Sequence, residues 1–394
     1  MIKYLNKLIY ILIICIIYHN YQLIFRSKTK IKLNFNDYLY RIAKKSHDFV
    51  FNANFGILTN IIPTTIKENP EISIVIPIYN IEKFINRSIL SVQNQNFKNF
   101  EIVLINDFST DNTYNIVKEL SQKDKRIKII NNIIKRGTLY SRCIGTLISK
   151  GNYIFPLDSD DLYLTNDTFS STYNEAKKIN PDLIVFQGIS VQNINDFFKL
   201  KKIKSFRDFE ESKFLSQPDI ARNSYGLCSL QAYCIKSSFY KNVINLYGEK
   251  NWAEYITYRE DCIINFIIHQ FAKSCFLFFK FGYLHIFRAS SNSHTEASLN
   301  RTKYDIYYLE VKYHFSIIPY HKFKAVEDLL DLEGRKNFSQ LFEDNKTTKF
   351  LKSFVNKIIL NIFNISKFNK NNNSIKMRIT NFSKTFLNLS NIQI

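Results

Sequence analysis

From Ile72 onward the chain alternates short apolar runs with amphipathic stretches, and this rhythm restricts its fold more than any other feature. Ile72 to Ile76 reads as a buried strand, and Glu82 to Gln95 sets Phe84, Ile85, Ile89 and Val92 at helical spacing. Glu101 to Ile105 predicts a second strand, Asp111 to Gln122 a helix opened by Ser109 and Thr110 as caps, and Ile127 to Ile130 a third strand. Gly137 to Ser149 predicts another helix, Tyr153 to Leu157 a strand, and Asp182 to Phe186 a further strand after a helix running through Glu175. Strands separated by helices must be joined by crossovers, so the expected class is α/β with a mostly parallel central sheet flanked by helices. Beyond Ser190 the regularity falls away, apart from a helix expected over Glu260 to Ala272 and a helical stretch from Thr302 to Phe342.

One of these strands carries acids at its end. Asp158-Ser159-Asp160-Asp161 follows Tyr153 to Leu157, at the place where an open α/β sheet sets its ligand site. Carboxylates packed this closely repel, and Mg²⁺ or Mn²⁺ shared with substrate phosphates relieves that repulsion. A solvated acidic turn capping the next helix is the competing reading.

A chain of 394 residues exceeds one typical domain. Its 54 Lys and Arg against 34 Asp and Glu give a formal net charge of +20, which favours anionic partners. The lysines are scattered among Asn and Ile with no arginine-rich tract, so nucleic acid is not the expected partner. The six cysteines show no C-x-x-C pair or zinc spacing; Cys228 and Cys234 either bridge or, with the rest, stay as buried thiols.

The termini differ from the centre. Leu8 to Tyr18, extended by Leu23-Ile24-Phe25, is barely long enough to cross a bilayer, which takes about 20 residues. Residues 1–25 are expected to form a single-pass membrane anchor, with a cleaved signal peptide as the alternative, and the flanking lysines and arginines leave its orientation open. Residues 26–70 read as a stem, 71–300 as the catalytic domain and 301–394 as a basic helical extension. In that extension Phe354, Ile358, Ile359, Ile362 and Phe363 form either an interfacial amphipathic face or a face packed on the core.

Several motifs now fall in order. Pro77-Ile78-Tyr79-Asn80, Ser91-Val92-Gln93-Asn94-Gln95, Glu101 to Asp111, the tract Arg136-Gly137-Thr138-Leu139-Tyr140-Ser141-Arg142, the acid tip and Tyr258-Arg259-Glu260-Asp261 together resemble glycosyltransferase family 2. Each motif alone is weak, and their order and spacing carry the resemblance. It implies a GT-A (nucleotide-diphospho-sugar transferase) fold and an inverting hexosyl- or N-acetylhexosaminyl-transferase. The implied donor is a nucleoside diphosphate sugar, UDP-linked above others. The acceptor would be a hydroxyl on a glycan, lipid or protein, at a membrane that could be the Golgi or endoplasmic reticulum.

The resemblance also assigns roles. Pro77 and Tyr79 would wall the base, and Asp107 would accept its ring N–H. Asp160 would hold a divalent Mn²⁺ or Mg²⁺, with Asp158 supporting ribose or metal, while Arg142 would either assist the phosphates or pair with a nearby acid. Asp261, beside Glu260, would be the general base, or both acids would merely cap their helix. Arg288 would act from a loop over the diphosphate, and His294 would be either a metal ligand or a solvated side chain. Trp252 would stack on an acceptor sugar or pack in the core.

Asn106-Asp107-Phe108-Ser109 departs from the family's Asp-Asp-Gly-Ser, losing an acid and a glycine suited to positive φ. An inactive glycosyltransferase-like scaffold or sugar-nucleotide-binding module is therefore the alternative function.

Overall fold

The computed structural model describes residues 69–192, 204–206, 211–217, 219–222, 230–252, 260–287 and 298–316, with Ile194, Ala325, Asp328, Leu329, Asp331 and Phe354. The expected membrane anchor, nearly all of the stem, Arg288 and His294 lie outside these residues. Among the described residues no helix is long and apolar enough to cross a membrane.

The order is β1 (Ile72–Ile78), α1 (Ile85–Gln93), β2 (Phe100–Asn106), α2 (Thr113–Lys123), β3 (Ile127–Asn131), α3 (Thr138–Ile148), β4 (Tyr153–Pro156), β5 (Leu162–Tyr163), α4 (Thr168–Ile179) and β6 (Leu183–Val191). There follow β7 (Lys204–Phe206), β8 (Lys213–Ser216), α5 (Asp219–Arg222), β9 (Tyr233–Lys236), α6 (Ser237–Tyr247), α7 (Glu249–Trp252), α8 (Glu260–Phe271), β10 (Ser274–Ile286) and α9 (Ser298–Phe315). The main path of the sheet runs β3-β2-β1-β4-β9-β6-β10-β5, with β7 paired to β6 and β8 to β10.

The expectation of a mostly parallel sheet needs correction, because the sheet is mixed. The pairs β1–β2, β1–β4, β2–β3 and β6–β10 are parallel. By contrast β9 runs antiparallel to both β4 and β6, and β7 and β5 are also antiparallel to their neighbours. An antiparallel strand needs no crossover helix, so its insertion leaves no strand-helix-strand signature in the sequence.

All seven residues of β1 and all seven of β2 are buried, as expected of strands covered on both faces. The single acid among them, Glu101, is satisfied by Ser73 Oγ at 2.6 Å, Lys128 Nζ at 2.5 Å and the Lys150 N–H at 2.6 Å. Against this sheet α3 packs closely, since a Cβ on Gly145 would lie 2.5 Å from Val75 Cγ1 and 3.2 Å from Ile105 Cγ1. The helix can approach only because that position has no side chain.

The cap expected for α2 is also corrected. Its N-cap is Asn112, and no side-chain cap bond forms there. Ser109 and Thr110 instead serve Asn80: the Asn80 N–H donates to Ser109 Oγ at 3.1 Å, and the Thr110 N–H donates to Asn80 Oδ1 at 2.8 Å. The loops after β1 and β2 are thereby tied together.

The described residues fall into two units. One takes those up to Leu215 together with 230–242 and 274–287, and holds most of the sheet. The other takes 216–222, 243–252, 260–273 and 298–316, together with the isolated residues beyond. In that second unit Phe266 meets Tyr308 edge-on at 6.0 Å and Ser316 Oγ donates to Gln270 Oε1 at 3.2 Å, fastening α9 to α8. Trp252 is buried, which favours the core reading over a sugar platform. Phe354 is buried too and contacts the Tyr313 ring at 5.9 Å, so at that position the packed face prevails.

Candidate active site

Because β1, β2 and β4 are parallel, their C-terminal ends share one edge, and that edge gathers the polar chemistry of the first unit. Asp107 follows β2 and is buried. Its carboxylate accepts Asn132 Nδ2 at 2.8 Å, the Arg136 N–H at 2.7 Å and the Gly137 N–H at 2.8 Å. A carboxylate has about four lone-pair sites, so about one is left for a ligand. Gly137, at φ 91 and ψ 166, occupies a region essentially reserved for glycine, which lets two successive N–H groups converge on Asp107 as α3 begins.

The altered turn beside Asp107 keeps a left-handed residue despite losing its glycine. Phe108 stands at φ 63 and is 52% exposed. Asn106 supplies what an acid could not, since its Nδ2 donates to Asn131 Oδ1 at 2.9 Å while its Oδ1 accepts the Ser109 N–H at 3.2 Å. At the end of β1, Pro77 is buried in the sheet and Tyr79 is 39% exposed, with Lys135 Nζ 3.8 Å from its ring centroid. An ammonium over the ring is a cation–π contact, so one face of Tyr79 carries a positive charge.

The acid tip is held from below by α1. Arg87 donates to the main-chain oxygen of Asp160 at 3.0 Å, and Ser88 Oγ donates to that of Asp158 at 3.4 Å. The side chains then part company. Asp158, 23% exposed, accepts Arg142 on Oδ1 and Gln231 Nε2 on Oδ2. Arg142, on α3, is 3% exposed, and of its two expected roles the structure displays the pairing with an acid. Asp161 is buried, accepting the Tyr283 phenol at 2.7 Å and the Ile286 N–H at 2.9 Å. It does not cap the next helix, since α4 starts only at Thr168, and it fastens the tip to β10 as a supporting acid.

The two acids are driven in opposite directions. Burial works to raise the Asp158 carboxyl, but the Arg142 charge and the bonds from Gln231 and Arg142 outweigh it and hold it below the usual carboxylate range. Burial pushes Asp161 well up, with the charges of Asp160 and Asp158 adding to it against the bonds from Ile286 and Tyr283.

Among the described residues no three His, Cys, Asp or Glu side chains converge as a ready-made metal site. Mg²⁺ and Mn²⁺ need only one or two carboxylates when substrate phosphates complete their shell. Asp160, partly buried at the tip, is a hard-oxygen donor of that kind, and Asp158 beside it carries Arg142 and Gln231.

Glu260 and Asp261 belong to the second unit, where they open α8. Asp261 Oδ1 accepts the Cys262 N–H at 3.0 Å. In the first unit, three residues that no motif pointed to stand beside Asp107, Tyr79 and Asp158: Asn132, Lys135 and Gln231. Lys135 directly precedes the Arg136-Gly137 pair and was readable as a cation beside it, but Gln231 lies in no recognisable pattern.

Residues 73–241 match the family described as Glycosyl transferase family 2. An uncharacterized glycosyltransferase of Haemophilus influenzae is 41% identical over 105 residues, covering 27% of this chain and 42% of that protein. The Escherichia coli protein WfgD, named a UDP-Glc:alpha-D-GlcNAc-diphosphoundecaprenol beta-1,3-glucosyltransferase, is 34% identical over 134 residues, covering 31% of this chain and 52% of its own. The chain thus spans about half or less of these relatives. Among solved structures, S. aureus TarS 1-349 in complex with UDP-GlcNAc superposes with a TM-score of 0.50 at 16% identity, covering 72% of this chain and 80% of that one, a likeness of fold.

Proposed function

We propose that the protein, whose residues 73–241 match the family described as Glycosyl transferase family 2, transfers a hexosyl or N-acetylhexosaminyl group from a nucleoside diphosphate sugar to an acceptor hydroxyl with inversion. The observation that carries the reading is the pairing of a buried acid, Asp107, with an acid tip after β4 on the same edge of the sheet. The UDP-sugars in the names of WfgD and the TarS complex favour a UDP-linked donor, and the WfgD name favours a lipid-linked acceptor.

In this mechanism Pro77 and Tyr79 wall the base and the remaining lone pair of Asp107 takes its ring N–H. Asp158, kept ionised by Arg142, accepts a donor hydroxyl, and Arg288 screens the diphosphate. Asp160 would hold a divalent ion, which would supply Lewis-acid stabilisation of the charge on the departing diphosphate. Asp261, assisted by Glu260, takes the proton of the acceptor hydroxyl as that oxygen bonds to the anomeric carbon. The bond from that carbon to the diphosphate breaks, and nucleoside diphosphate leaves on the opposite face. The apolar run within residues 1–25 supports anchoring of this activity at a membrane.

The test is turnover of a panel of UDP- and GDP-sugars by the full chain with Mn²⁺ and with a chelator. The reading expects hydrolysis or transfer of a UDP-sugar that the chelator abolishes. Chelator-resistant turnover would remove the metal from the scheme, and absence of both binding and turnover for every donor would favour an inactive scaffold.

A further inference from the structure

We propose that Gln231 is a positioning residue of the donor site, orienting the Asp158 carboxylate toward a nucleoside diphosphate sugar; the inference rests on the glycosyltransferase reading. A carboxylate anchored at one oxygen can still swing about its Cβ–Cγ bond. Asp158 is anchored at both, by Arg142 on Oδ1 and by Gln231 Nε2 on Oδ2. The anchors come from elements far apart in the chain, α3 and the turn before β9.

Sheet register places Gln231 there. In the antiparallel pair of β4 and β9, Tyr153 faces Lys236 and Ile154 faces Ile235. Extending that register by four residues sets Gln231 opposite Asp158. Between Gln231 and the strand stands Ala232, a buried non-glycine residue at φ 62. Its carbonyl accepts the Phe186 N–H of β6 at 3.0 Å, so the neighbouring strand holds the left-handed conformation in place. Strain of this kind persists where the surroundings over-determine it, and it collects at functional sites. Here it ends the ladder and delivers the preceding side chain to the acid tip.

An acceptor fixed in plane presents its remaining lone pairs in constant directions, which suits a donor hydroxyl that must be held still while the sugar moves. Gln231 touches Asp158, and its effect on the donor passes through that carboxylate.

Gln231→Met keeps the side-chain length and removes the N–H donor. Calorimetric titration of the full chain with UDP-glucose and UDP-GlcNAc in Mn²⁺ is expected to show about 10-fold weaker binding in this variant. In turnover the donor KM should rise by more than kcat falls. Gln231→Lys, which keeps an N–H donor of similar reach, should bind more tightly than Gln231→Met. Equal donor affinity in wild type and Gln231→Met overturns the inference and leaves the glycosyltransferase reading standing. Equal losses of donor affinity in the Met and Lys variants also overturn it by assigning the residue a structural role. Failure of the wild type to bind any donor removes both.

Discussion

The carboxyl of Asp161 and the phenol of Tyr283 meet at 2.7 Å with both side chains fully enclosed. Burial, with the charges of Asp160 and Asp158, sets the Asp161 pKa well above its ordinary value. Below about pH 3.9 the group is protonated folded and unfolded alike, and its contribution to stability is complete. As pH climbs toward and through the raised folded value, the unfolded chain sheds the proton first and that contribution is lost. Asp158 behaves in the opposite sense, stabilising above about pH 3.9 and losing its contribution as pH falls through its lowered value. Asp161→Asn removes the first titration while keeping the shape. Urea unfolding from about pH 4 to about pH 8 should therefore show a shallower decline in the variant; parallel curves would contradict the assignment.

Asp107→Asn replaces one oxygen with a donor in a place already facing donors from Asn132, Arg136 and Gly137. At least one buried N–H loses its acceptor, at a cost of about 1–3 kcal/mol. Urea unfolding should register that loss, together with weakened UDP binding. Unchanged stability would mean that the loop before α3 does not depend on this carboxylate.

Phe108→Gly relieves a left-handed aromatic residue that is about half exposed, so only part of its burial is forfeited. The variant should be more stable by up to about 1 kcal/mol, read by thermal or urea unfolding. A loss of stability would show that the Phe108 ring makes a contact worth more than the backbone strain.

Asp261→Asn should lower kcat by about 10²-fold or more, with donor affinity nearly intact, because the group is assigned to the acceptor's proton. Single-turnover kinetics and donor titration separate the two quantities. Full turnover in the variant would return Asp261 to a helix-opening role.

The first half of the sheet was legible because β1 and β2 are enclosed on both faces and so read as nearly continuous apolar runs. Strand ends were less so: Ile72 to Ile76 extends to Ile78, since Pro77 and Ile78 sit in the ladder opposite Ile105 and Asn106. The four residues of β9 carried no periodic signal, and neither did its antiparallel entry. The motif order named Asp107, Asp158 and Asp160 from sequence alone. It could not reveal that Asp161 serves β10, or that Asp158 is shared with Gln231, because both facts depend on strands that meet only in the folded sheet.

The insertion of β9 also has a consequence for the nascent chain. Tyr153 to Pro156 can align beside Ile72 to Val75 as soon as they leave the ribosome, yet their other neighbour arrives only with residues 233–236, and the partners of Asp161 only with 283–286. During synthesis the acids at 158–161 must therefore wait, with one flank bare, while more than a hundred further residues are made. Long-range pairing of this kind is slow and leaves unpaired edges exposed to other chains. Truncation products ending before Ile286 would carry the complete aspartate motif and still lack the framework that gives each aspartate its separate task.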